Sequence, residues 1–137
     1  MATNKDPIFL NSLVSKNQSI AVGDTTTAFV MFTAGDDGGA VTKLTASTTD
    51  TTDIVVVLTV NDGTTTVVVG EVTVPASSGT NGSLPIKNLL DIAALPGLLQ
   101  VDGSLVLGPA ATLSVAAKAT LSTGVLNVAT QGGQYGV

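Results

Sequence analysis

Hydrophobic and polar positions along this chain alternate in short runs broken by Gly, Asp, Asn and Pro, the grammar of strands and turns. The clearest unit is IVVVLTVNDGTTTVVVGEVTVP, residues 54–75. Ile54 to Val60 is an apolar, largely β-branched run of strand length, and Asn61-Asp62-Gly63 supplies residues that tolerate positive φ in a hairpin turn. The returning arm alternates, with Val68, Gly70, Val72 and Val74 on one face and Val67, Val69, Glu71 and Thr73 on the other. Glu71 marks the second face as open to solvent. Pro75 ends the ladder by removing a donor. Such a hairpin belongs at the centre of a sheet, buried on both faces or with one face against another subunit.

The same grammar predicts strands over 18–22, 25–33 (TTTAFVMFT), 41–48 (VTKLTAST), 104–107, 111–120 (ATLSVAAKAT) and 123–130 (TGVLNVAT). Leu44 and Ala46 share a face with Thr42 and Thr48, and Leu113, Val115, Ala117, Ala119 and Leu121 share another. The cluster Ala34-Gly35-Asp36-Asp37-Gly38-Gly39 reads as a turn, and Ala76–Ser83 (ASSGTNGS) as a flexible loop. Residues 86–95, IKNLLDIAAL, put Ile86, Leu89, Leu90 and Ala93 at helical spacing before Pro96-Gly97, which predicts one short helix.

Seven to eight short strands without αβ alternation indicate an all-β fold, an antiparallel β-sandwich or jelly roll with one short helix and an extended N-terminal arm. Residues 1–16 form the arm, 17–131 the sandwich domain and 132–137 a glycine-rich C-terminal tail. Pro7, Ile8, Phe9 and Leu10 are the apolar cluster that ties the arm down, on its own core or on a neighbour. Tyr135, the single tyrosine, offers a large apolar area with a polar tip for a subunit contact.

Composition narrows the chemistry. Charged residues are 11% of the 137, against about 25% in ordinary soluble domains, while hydrophobic residues reach 44%. A Thr- and Ser-rich strand surface with so few charges is poorly protected against sheet-to-sheet association, so copies of itself or a partner are expected to cover part of it. The core must be built from Val, Leu, Ile and Ala, since aromatics are 3% of the chain.

There is no His, the commonest general base, and no Cys for a thiol nucleophile, a disulfide or a thiolate metal site. The carboxylates Asp36, Asp37, Asp50, Asp53, Asp62, Glu71, Asp91 and Asp102 sit mostly in turns beside Gly, Thr or Asn, where turn chemistry explains them better than paired acid–base catalysis. A hard cation held by Asp36–Gly39 or Asp50–Asp53 is a lesser alternative, because neither stretch follows the EF-hand spacing. No phosphate-loop spacing occurs, and the net charge of −5 with five scattered lysines argues against nucleic acid. The expectation is therefore a non-enzymatic protein with no catalytic residues, cofactor or metal, and with neither nucleic acid nor membrane as partner. No signal-peptide pattern and no long apolar span is present, so synthesis in a cytoplasm is expected.

The arm PIFL, the segment STTDTTD before a Val-rich strand, the loop VPASSGTNGS leading to LLD, the LPGL turn and the closing VATQGG resemble small structural proteins of tailed-bacteriophage virions. The resemblance is similar in kind to capsid decoration, or cement, proteins. It implies a virion location, the major capsid protein as partner, self-association, with a trimer as the expected state, and shell stabilisation through subunit contacts at Pro7, Ile8, Phe9, Leu10 and Tyr135. Tail, head-completion or fibre components are the alternative within that class. A carbohydrate- or cation-binding adhesion module is the alternative outside it.

Overall fold

The structure, a computed structural model, describes residues 10–80 and 82–136. Among these, nine strands form two antiparallel sheets packed as a sandwich: β1 (Leu10–Ala21), β2 (Phe29–Thr33), β3 (Gly39–Thr48), β4 (Ile54–Asn61), β5 (Thr66–Val74), β6 (Lys87–Asn88), β7 (Leu105–Leu107), β8 (Thr112–Ala117) and β9 (Val125–Tyr135). The first sheet runs β1-β9-β3-β6, with β7 beside β6 on the same edge of β3, and the second runs β2-β8-β4-β5. Alternation sends Ile54, Val56 and Leu58 of β4 inward against Leu113, Val115 and Ala117 of β8, and Leu44, Ala46, Leu126 and Val128 face them from the other sheet. Small aliphatic side chains fill the space between sheets, and Phe32 and Met31 are the bulkiest of β2 within it.

The predicted hairpin is present, with Ile54 opposite Val74 and Asn61 opposite Thr66. Only its first arm is central: β4, buried on one face and half-buried on the other, lies between β8 and β5, whereas β5 is the edge strand of its sheet, so the hairpin does not sit at the centre as a unit. A bulge interrupts the returning arm, because Leu58 faces Gly70 while Thr59 faces Val68, leaving Val69 as the extra residue. Strict alternation fails there: Val69 packs against the core, whereas Val67 and Val68 are both exposed. Two further bulges act likewise. One in β2 lets the neighbours Met31 and Phe32 both be buried, and one in β3 turns Thr42 out while Leu44, Ala46 and Thr48 stay inside.

Several expectations are corrected. The helix over 86–95 does not form; Lys87 and Asn88 pair with Ala46 and Thr45, and the Leu89 N–H donates to the Leu44 carbonyl at 2.7 Å. An isolated ten-residue helix is marginal, and a sheet edge with free carbonyls gives this backbone better partners. A single turn follows, in which the Leu95 N–H donates to the Asp91 carbonyl at 2.8 Å. Leu89, Leu90 and Leu95 still enter the core. Among the described residues the only helical element is a 3-10 turn at Val22–Asp24.

Residues 10–16, expected in the arm, belong to β1, paired with β9, and residues 1–9 of the expected arm lie outside the described residues. The expected tail is not a tail: Gly132–Tyr135 continue β9 between β1 and β3. Glycine is required there because the Phe32 ring lies against the strand backbones. A Cβ on Gly132 would stand 2.4 Å from the Ala40 carbonyl oxygen and 2.9 Å from Phe32 Cε2, and one on Gly39 would stand 3.0 Å from the same ring. The strand expected to run to Thr120 ends at Ala117, so Ala119 is exposed while Leu121 is buried. The loop after Pro75 is bonded into the body, with the Ser78 carbonyl accepting from Thr48 N–H at 3.0 Å and Thr80 Oγ1 donating to the Thr48 carbonyl at 2.8 Å.

Candidate interaction surface

The carboxylates come first, because they are the chain's only conventional catalytic or cation-binding groups. Asp50 is fully buried. Its Oδ1 accepts from the Thr52 N–H and hydroxyl, both at 2.8 Å, and from Ser122 Oγ at 2.7 Å. Its Oδ2 accepts from the Ser122 and Thr123 N–H groups at 2.9 and 3.2 Å. One carboxylate thereby ties the β3–β4 connection to the β8–β9 connection. Burial pushes its pKa up, but the hydrogen bonds from Ser122, Thr52 and Thr123 outweigh this and hold it well below the ordinary carboxylate value.

The other aspartates serve turns. Asp62 caps the β4–β5 hairpin by accepting from the Thr65 and Thr64 N–H groups and the Thr64 hydroxyl, which lower its pKa. Asp91 accepts from the Ala93 N–H and from Lys87 Nζ, and Asp102 from the Ser104 hydroxyl and N–H; both are lowered by these bonds. Asp53 accepts from the Ala76 N–H at 2.9 Å. The pair once considered for a cation, Asp50 and Asp53, is thus committed to separate backbone partners. Among the described residues no group of three or more His, Cys, Asp or Glu side chains stands together as a metal site.

Of the predicted contact residues, Pro7, Ile8 and Phe9 lie outside the described residues. Leu10 opens β1 directly opposite Tyr135 of β9, so the sheet joins two positions separated by most of the sequence. Tyr135 is half-buried, and its N–H donates to the Gly38 carbonyl at 3.0 Å. Both stand in the last row at one end of the sandwich.

At that same end the structure exposes residues the sequence did not single out. An apolar groove of about 370 Å³ runs between β7 and the β4–β5 hairpin, lined by Val60, Val69, Leu98, Val106 and Pro109. Val106 is 44% exposed, and Val67 and Val68, next along β5, are 55% and 57% exposed. The three consecutive valines at 67–69 were the available signal, because a strict two-residue period cannot hide all of them on one face. Leu98 and Pro109 carried none, since their meeting depends on β7 docking on β3.

The opposite seam of the sandwich, between β1 and β2, is bridged by polar side chains. Lys16 points inward from β1 and donates Nζ to the Val30 carbonyl at 2.7 Å, and Gln134 Nε2 donates to the Thr33 carbonyl at 3.0 Å. An inward charge on an edge strand that satisfies a neighbouring edge carbonyl discourages pairing with another sheet there. The two flanks therefore differ: the β1–β2 seam holds a cavity of about 240 Å³ that polar side chains bridge, and the other presents an apolar groove.

No protein family, curated protein or solved structure matches the chain.

Proposed function

We propose that this protein is a non-enzymatic structural component that works by association, and specifically a decoration protein on the exterior of a virion shell, with the major capsid protein and further copies of itself as partners. One observation carries the reading: an apolar groove lined by Val60, Val69, Leu98, Val106 and Pro109 lies open at one end of the sandwich, while the buried Asp50 and the turn carboxylate Asp62 are committed to holding loops. A surface of this kind gains free energy when covered, roughly 25 cal/mol for each Å² of apolar area removed from water. The virion assignment rests on the sequence resemblance in the arm, the STTDTTD segment and the closing VATQGG. Charges of either sign are sparse over the whole chain, which suits a protein that spends its working life against a lattice of neighbours.

The test is copy number. Mass analysis of purified particles carrying the protein is expected to give hundreds of copies per particle, as repeated shell sites require. A handful of copies would move the protein to a tail or vertex position. A monomer at high concentration that ignores particles would end the proposal.

A further inference from the structure

We propose that the groove between β7 and the β4–β5 hairpin is the receptor for Pro7-Ile8-Phe9 of a second copy of this chain. The inference deepens the association reading above by naming the partner surface, and it is tested on pure protein so that the two stand or fall separately.

The occupant follows from chain length and position. Residues 1–9 lie outside the described residues, and Pro7-Ile8-Phe9 is their apolar stretch, joined directly to the first residue of β1. Leu10 faces Tyr135 on β9, Gly39 of β3 faces Gln134 on one side and Leu107 of β7 on the other. From β1 across β9 and β3 to β7 is three strand spacings, about 14 Å, and the groove lies beyond β7. Phe9, Ile8 and Pro7 are one, two and three residues from Leu10, a backbone reach of about 4, 7 and 11 Å. The apolar stretch therefore falls short of the groove of its own molecule. A neighbour's groove carries no such restriction.

The chemistry of the groove fits this occupant. Val60, Val69, Leu98, Val106 and Pro109 present aliphatic surface, and Asp62 at its rim is turned to its own hairpin, accepting from Thr64 and Thr65. No lysine lines it. The arm root and the groove are different surfaces on opposite flanks, so the contact is head-to-tail, and head-to-tail contacts close into rings when the rotation between copies allows.

The chain has no cysteine, so single thiols can be placed without background. Full-length chains carrying Phe9→Cys and Val106→Cys are mixed and oxidised, then separated without reductant. The expected result is a cross-linked pair between the two different chains, its yield rising with concentration, and loss of that pair when Thr51→Cys, at the far end of β4, replaces Val106→Cys. A disulfide needs Cα atoms within about 7 Å, so it reports seating and not mere proximity. Leu98→Cys serves as a second groove position if Val106→Cys lowers the urea midpoint. Equal cross-linking to Thr51→Cys, none at either groove position, or a concentration-independent link inside a chain carrying both Phe9→Cys and Val106→Cys would each overturn the proposal. Decoration of particles without the cross-link would leave the association reading standing and remove this one.

Discussion

Gly70 and Leu95 provide a quantitative test of how the 86–99 segment is held. Leu95, in the turn that replaces the expected helix, is 1% exposed, and a Cβ built on Gly70 of β5 would lie 2.1 Å from its Cδ2 and 3.2 Å from the Ala94 carbonyl oxygen. Gly70→Ala thus forces a packed side chain to move, an overpacking cost of about 1–3 kcal/mol. Against this stands about 0.5–1 kcal/mol gained by removing a glycine from a strand interior. The net is a loss of up to about 2.5 kcal/mol. Leu95→Ala alone removes a buried leucine and is expected to cost about 2–5 kcal/mol. In that background the obstruction is gone, and Gly70→Ala should become neutral or stabilising by about 0.5 kcal/mol, the close carbonyl taking back part of the gain. A coupling of about 1–3 kcal/mol follows, the overpacking cost that Leu95→Ala relieves. Urea unfolding of the four proteins, with unchanged m-values, measures it. If Gly70→Ala costs the same within about 0.5 kcal/mol in both backgrounds, the turn does not pack on β5 as described.

Gly132→Ala should be the more severe glycine change, about 3 kcal/mol or beyond, because the obstructing atoms are the Ala40 carbonyl oxygen and a buried Phe32 ring with no room to withdraw; a urea midpoint within error of the unsubstituted protein would refute the close packing. Asp50, Asp62, Asp91 and Asp102 all have pKa values lowered from 3.8 in the folded protein, so their stabilisation is complete above about pH 5 and is lost as pH falls through the unfolded value and toward the folded ones. Urea midpoints measured from about pH 6 to about pH 2 should therefore be level and then fall, with the fall reduced in Asp50→Asn; a midpoint unchanged across that range would contradict the bonding described. Glu71→Gln breaks the 3.0 Å pair with Lys118 on an exposed face and is expected to change stability by less than about 1 kcal/mol, since solvent already screens both groups.

The local alphabet of this chain was enough for the strand class, the central hairpin and the character of the core. β-branched runs such as Ile54–Val57 cannot hide an apolar face in any other short element, and Asn61-Asp62-Gly63 leaves the backbone one tight way back. The turn role of the aspartates was legible for the same reason, because an Asp reaches N–H groups two or three residues ahead within its own loop, as Asp62 and Asp102 do.

What the sequence left undecided depends on partners far along the chain. Leu89 and Leu90 satisfy helical spacing as readily as they satisfy a sheet edge, and the free carbonyl of Leu44 made the choice. Gly132 looks like part of a tail until Phe32 and Ala40, some ninety to a hundred residues earlier, require backbone with no side chain in the way. Bulges at Val69, Met31 and Thr42 reassigned which neighbours face inward, and no two-residue period can announce an inserted residue. Pattern fixes which residues must leave water, since that is a property of each side chain. Which surface receives them, and so where Val60, Leu98, Val106 and Pro109 come to line an open groove, is settled only when strands distant in sequence meet.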